Sequence, residues 1–314
     1  MKIYNSFDNV EYDRNTILTV GTFDGVHKGH RIIINKLLEI SANEKLKGMI
    51  VTIDPHPQLV LKKEGRKPIK LLTNIGERLW LFEKFGIEYA LIIPFTYQFS
   101  RTSPEEFVRN FLCEKIGMKK ILVGYDHLFG KDREGDKNLL SSLSQELQFG
   151  VEAIDPLLLQ DNVVSSTKIR NAIESHDIER ANVMLGYNYF ISGRVIMGEG
   201  RGHKLGFPTA NVLPPDDNKL IPARGVYFVK AEIKGKYYYG MANIGVRPTF
   251  TSDEKPTLEV NFFDFDEDIY ELEVTVEFLQ FIRQEKKFSG SSELIQQLII
   301  DKEMCMKLIK QYNY

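Results

Sequence analysis

The sequence predicts an α/β domain built on a parallel sheet over residues 1–184, then an antiparallel β-barrel with a terminal helix over residues 185–314. Three observations predict it. The chain has 314 residues, more than the ~250–300 at which a single hydrophobic core stops growing. Its first half alternates short apolar runs with helical periodicity. Its second half strings together short β-branched and aromatic runs between Gly, Pro and Asp turns.

Taken in order, Thr16–Val20 is a β-branched strand that stops at the glycine-rich turn GTFDG. A helix follows, with Ile33, Leu37 and Ile40 on one face, Ile34 and Leu38 beside it, and Gly48 as its stop. Met49–Ile53 reads as a buried strand ended by DPHP, because proline and the residue before it leave the regular ladder. A helix over Glu77–Phe85 leads to the strand Tyr89–Ile93. Ser103 as N-cap, Pro104 at the first helical position and Glu106 at the third form a capping box that opens the next helix. Lys120–Gly124 and Val151–Asp155 complete the strands of this half. Strands that are continuously apolar and separated by helices belong to a parallel sheet covered on both faces, a Rossmann-like arrangement. Ligands bind such sheets at the C-terminal strand ends, where GTFDG, DPHP and GYDHLFG fall. A helical stretch, Lys168–Met184, joins the halves. Beyond Gly186 come YFISGRVI, GVYFVKAEI, KYYYGMANI, TLEVNFF and LEVTVEFL as barrel strands, and Ser292–Lys310 returns to helical spacing with Leu294, Leu298, Cys305 and Leu308 on one side.

Composition narrows the function. Lys plus Arg total 41 against 43 Asp plus Glu, a formal charge of −2, with the first half neutral and the second at −2. Neither half has the basic excess of a nucleic-acid or anionic-membrane binder. The longest unbroken apolar run, Tyr89–Ile93, is far short of the ~18 residues that span a bilayer. The N-terminal stretch carries Asp8, Glu11 and Asp13 and no apolar core of a signal peptide. Cys113 and Cys305 are too far apart for a CxxC pair, which excludes a thiolate zinc site and a disulfide scaffold and suits a reducing cytoplasm. The expectation is a cytoplasmic protein that acts on small molecules, not on nucleic acid or membrane.

GTFDGVHKGH sets His27 and His30 one helical turn apart where the first strand turns into the first helix. Gly21, Gly25 and Gly29 remove side chains that would hold a ligand off the backbone N–H groups, and a helix N-terminus favours anions. Two imidazoles so placed can both donate to one phosphate chain and strengthen as charge builds on it during nucleotidyl transfer. An isolated HxxH is more often a pair of solvated histidines, and the full ten-residue string in a strand–turn–helix setting reverses that balance. No third ligand lies at zinc spacing. The string SSTKIR opens a helix with hydroxyl caps and two cations, Lys168 and Arg170; by itself it is simple capping, and beside the histidine string it becomes a phosphate site.

In the second half, GEGRGHKLGFPTAN fails both GxxxxGK[ST] and GxGxxG, so a Walker ATPase is rejected. Its glycines with Arg201, His203 and Lys204 can still form a cationic loop. Thr209 and Asn211, two apart on a strand, would direct two oxygens to one Mg²⁺. Without that context they are ordinary solvent-facing polar residues. In TLEVNFFDF, Leu258, Val260 and Phe262 share one face, and Glu259 and Asn261 share the other. Glu259 is then either the wet side of a sheet or, inside a barrel mouth, a base for a hydroxyl attacking a γ-phosphate.

The histidine string resembles the HxGH signature of the nucleotidyltransferase superfamily. Together with IDPHP, PFTYQFSRTSPEEFV, the turn from Gly124 and Asp126 to Gly135 and Asp136, and SSTKIR, it is similar to the N-terminal module of the bacterial bifunctional riboflavin kinase/FAD synthetase family. The segments G-FPTAN, GVYFV, MANIGVRPTF and Leu258–Tyr270 resemble that family's kinase module, and the two matches together run over about residues 15–310. The resemblance implies phosphorylation of riboflavin to FMN by ATP, then adenylylation of FMN to FAD with release of pyrophosphate, both with Mg²⁺. It implies that His27, His30, Ser166, Thr167, Lys168 and Arg170 handle ATP phosphates beside Gly21, Phe23, Gly25 and Gly29. Asp126 and Phe129 would lie by the nucleotide or flavin. In the kinase module it implies Gly206, Pro208, Thr209 and Asn211 at Mg–ATP and Glu259 as the base. DHLFG stands where the family has DFRFG, and Lys168 where it has arginine, which keeps the charge but loses a bidentate fork. Two other readings compete: a nucleotidyltransferase for another phosphorylated acceptor, and a flavin-binding regulatory protein whose catalysis has decayed. The oligomeric state is not legible.

Overall fold

A computed structural model describes residues 1–61, 65, 68–124, 129–131, 134–155, 157–159, 162–198, 202, 205–246 and 256–312. They form two compact units, Met1–Ser166 and Thr167–Tyr314. Among these residues no helix is long and apolar enough to cross a membrane, and both cysteines are free.

The first unit runs β1 (Lys2–Tyr4), β2 (Thr16–Gly21), α1 (Lys28–Glu44), β3 (Lys47–Asp54), α2 (Pro57–Val60), α3 (Ile75–Lys84), β4 (Tyr89–Pro94) and α4 (Pro104–Glu106, continuing as a π-helix over Phe107–Ile116). It continues with β5 (Met118–Gly124), α5 (Lys137–Leu147), β6 (Gly150–Ile154) and a two-stranded ribbon of β7 (Leu158–Leu159) and β8 (Asn162–Val163). The sheet order is β1-β4-β3-β2-β5-β6, and every pairing is parallel. Chain order therefore reverses between β2 and β5, and the crevice at their C-terminal ends is where such sheets take ligands. Leu18, Val20, Met49, Val51, Leu91 and Ile93 cover one face and pack against Val108, Leu112 and Ile116 of α4. On α1 the buried positions are Ile34, Leu37 and Ile40.

Several boundaries differ from expectation. Helix α1 ends at Lys45 in the left-handed conformation, and Gly48 lies within β3. Helix α3 starts earlier than Glu77, because Asn74 and Glu77 cap it reciprocally. The Ser103 hydroxyl does accept the Glu106 N–H at 3.1 Å. The joining stretch is two helices, α6 (Ser166–Glu174) and α7 (Ile178–Leu185). His176 breaks the run with φ of 69°, and Asp177 caps α7 by accepting from the Arg180 N–H.

The second unit continues with β9 (Phe190–Ile196), β10 (Ala210–Leu213), β11 (Gly225–Ile233), β12 (Lys236–Val246), β13 (Pro256–Phe262), β14 (Glu273–Arg283) and α8 (Ser291–Tyr312). The strands close into a barrel in the order β10-β13-β12-β11-β14-β9, sealed by antiparallel pairing of β9 with β10. Alternation sends Ile191, Val212, Tyr227, Ala242, Ile244, Leu258, Val260, Val276 and Phe278 inward, and all are buried. The outward residues Phe228, Met241, Phe263 and Leu279 are covered by Cys305, Leu298, Leu308 and Ile309 of α8. The helix is pinned at Asp301, which is 2 % exposed. Its carboxylate accepts Nε of Arg283 at 2.9 and 3.0 Å, Nη2 at 2.7 Å, and Nε2 of Gln297 at 2.9 Å. Removing one partner of such a buried pair strands the other charge. Asp301→Ala is expected to destabilise this unit by about 3 kcal/mol, read as a lower denaturant midpoint; an unchanged midpoint would show that apolar packing alone holds α8.

Candidate active sites

The turn between β2 and α1 is strained and tightly tied. Phe23, Gly25 and Val26 have φ of 48°, 81° and 33°, a conformation that costs side-chain-bearing residues ~1–3 kcal/mol each. Three ties hold it. The Asp24 carboxylate accepts the backbone N–H groups of Leu72 and Thr73 at 3.2 and 3.0 Å. Thr73 Oγ1 accepts the Gly25 N–H at 2.9 Å, and Thr52 Oγ1 donates to Thr22 O at 3.3 Å. The Gly25 N–H is thus used inside the protein and is not available to a ligand; glycine is needed there for its positive φ. Gly21 and Gly29 also serve neighbours. A Cβ on Gly21 would lie 3.2 Å from the Phe23 ring, and one on Gly29 would lie 3.1 Å from the His27 ring.

His27 caps α1, its Nδ1 accepting the His30 N–H at 3.4 Å. That places the proton of a neutral His27 on Nε2. The two rings stack, centroids 3.7 Å apart and 16° between planes, and His30 also meets the edge of Phe23 at 5.2 Å. Stacked imidazoles repel if both are charged. Burial first, then His27 and Arg78, push the His30 pKa well below its ordinary value, so His30 is neutral at pH 7. Its Nδ1 is buried without a hydrogen-bond partner. With no acceptor there, the ring proton is better placed on Nε2. Each histidine can then offer one N–H to a phosphate oxygen.

The SSTKIR segment begins α6, which Ser166 opens. Ser166 Oγ donates to Asp24 O at 2.9 Å. This bond ties the start of α6 to the histidine turn. Thr167 is exposed, and Lys168 and Arg170 are half-buried, all on the first turns of α6. Phe129 is 8 % exposed, packs 6.3 Å from Phe107, and exchanges both backbone hydrogen bonds with Gly135. Asp126, His127 and Leu128 lie outside the described residues.

Beside these stands a group the sequence reading passed over. Arg78 on α3 is fully buried and donates through Nη1 to Thr52 Oγ1 at 3.0 Å and Ile53 O at 2.9 Å. The local signal was present: a cation one turn inside a capped helix, on the face that also carries the buried Leu81 and Phe82.

In the barrel, register sets a polar row on the outer wall. Glu259 of β13 lies opposite Asn211 of β10 on one side and Asn243 of β12 on the other. Directly opposed residues share a face, so these three side chains project to the same side. That side is the outside of the barrel, because Leu258 and Val260 fill the interior. Of the two placements that the sequence left open for Glu259, it takes the outer face of the sheet. Two described glycines come close to the residues singled out in β10 and before it: a Cβ on Gly198 would meet the Asn211 amide, and one on Gly202 would lie 3.2 Å from Thr209 Oγ1. Pro208 is exposed and fixed by Asn261, whose Nδ2 donates to its carbonyl at 2.7 Å; Gly206 turns the chain ahead of it with φ of 80°. Arg201, His203, Lys204 and Arg247 lie outside the described residues.

The donor chemistry of the row fits a magnesium ion that arrives with a nucleotide. Thr209 Oγ1 and Asn211 Oδ1 are hard, neutral oxygens of the kind Mg²⁺ takes one or two at a time, leaving its other positions to phosphate and water. Among the described residues no group of three His, Cys, Asp or Glu side chains could hold a metal by itself.

Comparison with known proteins agrees with both halves. Residues 9–168 match the FAD synthetase family and residues 185–309 the riboflavin kinase family. The bifunctional riboflavin kinase/FMN adenylyltransferase of Listeria monocytogenes is 38% identical, over 93% of this chain and 91% of its own. Its counterpart in Bacillus subtilis is 35% identical, over 95% and 93%. A Streptococcus pneumoniae crystal structure described as a macrolide-efflux protein has the same fold, with a TM-score of 0.86 and 29% identity over 97% of this chain and 98% of that one. With both modules matched in order and such relatives aligned nearly end to end, the chain belongs to the bifunctional riboflavin kinase/FMN adenylyltransferase family.

Proposed function

We propose that the two reactions of this family are carried out at two separate sites, with the functional boundary at residues 184 and 185. In the barrel, riboflavin takes the γ-phosphoryl group of ATP to give FMN and ADP. In the sheet domain, the FMN phosphate attacks the α-phosphorus of a second ATP to give FAD and pyrophosphate. The observation that carries this reading is the stacked His27–His30 pair at the crevice between β2 and β5.

In the adenylyl transfer, Nε2–H of His27 and of His30 would hold the phosphate chain of ATP and strengthen as negative charge moves onto the departing pyrophosphate. Thr167, Lys168 and Arg170 would balance that charge from the start of α6. No covalent enzyme intermediate is needed, since the acceptor phosphate is itself the nucleophile. In the kinase reaction, Glu259 would take the proton from the ribityl 5′-hydroxyl as it attacks. Asn211 and Asn243 flank it and keep its carboxylate on the outer face. Thr209 and Asn211 would hold Mg²⁺ at the ATP phosphates; when bound, the metal offsets phosphate charge. The partners are small molecules, with no nucleic acid, and the working compartment is the cytoplasm, where ATP is supplied.

Purified protein given riboflavin and Mg–ATP is expected to produce FMN first and FAD later, resolved by chromatography. FMN alone would remove the adenylyltransferase half of the reading, and neither product would leave flavin binding only. Chelation with EDTA is expected to stop both conversions and excess Mg²⁺ to restore them; either rate surviving in EDTA would contradict the metal's role.

A further inference from the structure

We propose that Arg78 is a positioning residue for adenylyl transfer, a buried cation that fixes the histidine turn against the end of β3 and holds the His27–His30 pair in its working geometry. The inference rests on the adenylyltransferase reading above. Burying a guanidinium away from water costs several kcal/mol unless its donors are well matched. Here the match is incomplete. Only Nη1 is hydrogen-bonded, to Thr52 Oγ1 and Ile53 O. Nε and Nη2 are buried without partners, and the Asp54 carboxylate stands 3.7 Å from Nη2, beyond a good hydrogen bond. A residue needed only to staple α3 to β3 would do so at lower cost as a neutral donor. The charge therefore has another use.

Its placement indicates which. Thr52 Oγ1 accepts from Arg78 and passes its own proton to Thr22 O, so a hydrogen-bond relay runs from the guanidinium into the turn that carries Phe23 and the histidines. Asp24 and Asp54 act on Arg78 electrostatically, and Asp24 is the residue that latches the same turn to Leu72 and Thr73. The groups around His30 are the stacked His27 ring, the edge of Phe23 and the Arg78 charge. A fixed cation at that point makes a second positive charge on the histidine pair costly. It keeps the stack intact and adds a field favourable to phosphate without touching it.

The test uses the full chain with Arg78→Met and Arg78→Lys, measuring kcat and KM for conversion of FMN to FAD from pH 5 to 8.5. Riboflavin phosphorylation by the same preparations serves as control. Arg78→Met is expected to lower kcat about 100-fold with little change in KM. It is also expected to move the acid limb of the rate profile to higher pH, because His30 loses the neighbouring cation. Arg78→Lys keeps the charge and loses the fork, so it should hold the wild-type acid limb with kcat about tenfold down. An Arg78→Met protein with wild-type kcat and acid limb overturns the proposal. Should Arg78→Met fail to fold, seen as loss of the sheet domain's melting transition, Arg78→Lys decides. A shifted limb or an undiminished kcat in that variant overturns the proposal, and the expected pair of changes supports it. A wild-type chain unable to make FAD from FMN would instead refute the activity assignment itself.

Discussion

Glu259→Gln is expected to reduce phosphorylation of riboflavin by about 10²–10⁴-fold, the range that loss of a positioned general base commonly spans. The substitution preserves shape and hydrogen-bonding reach in the row shared with Asn211 and Asn243, so packing of the barrel wall should not change. What disappears is the basic carboxylate proposed to take the hydroxyl proton. The loss should appear in kcat, with KM for ATP nearly unchanged, because on the proposed reading Thr209 and Asn211, not Glu259, hold the nucleotide. Conversion of added FMN to FAD should continue at the wild-type rate. A Glu259→Gln protein that still makes FMN at a tenth of the normal rate or better would remove Glu259 from the role of base.

His30→Ala is expected to give the mirror image: FMN accumulates from riboflavin, and its adenylylation falls by about 10²–10³-fold, the cost of removing one donor from a developing oxyanion. Alanine leaves the cap that His27 makes to the backbone N–H of residue 30, which does not depend on the side chain there. It deletes the stacked ring and its Nε2–H. His30→Gln, which offers a side-chain N–H in a similar place, should recover part of the rate. The residual protein should also resist acid better. Wild-type His30 has a lowered folded pKa, so the unfolded chain binds the extra proton first as pH falls below the ordinary value of about 6.5. Stability from this group is complete above that pH and declines below it; His30→Ala should flatten this decline. If either substitution abolished both conversions in a protein that melted like wild type, the two-site arrangement would be wrong.

Much of the site was legible in local pattern. The ten residues of GTFDGVHKGH carry their own turn chemistry and helix start, and strand–turn–helix is what they form. The kinase segment was legible for the same reason, since alternation along Leu258, Glu259 and Val260 assigns opposite faces whatever surrounds them. What alternation cannot say is which face is inside. The structure turned Glu259 to the outer wall because Leu258 and Val260 are needed to fill the barrel. Ser166, Phe129 and Gly25, which the family resemblance places at ligands, also meet partners remote in sequence that no local pattern shows: Asp24 O, Phe107 and Thr73.

The amino-acid order by itself determined two domains and their α/β and β-barrel classes, because propensity and periodicity act over a few neighbouring residues; the pair of chemistries came from the resemblance of its motifs to a known family. Tertiary structure alone decided the crevice between β2 and β5, the row Asn211–Glu259–Asn243 and the buried Arg78 under the histidines. Each depends on strands or helices brought together from far along the chain, where register, burial and charge are settled by packing rather than by nearest neighbours.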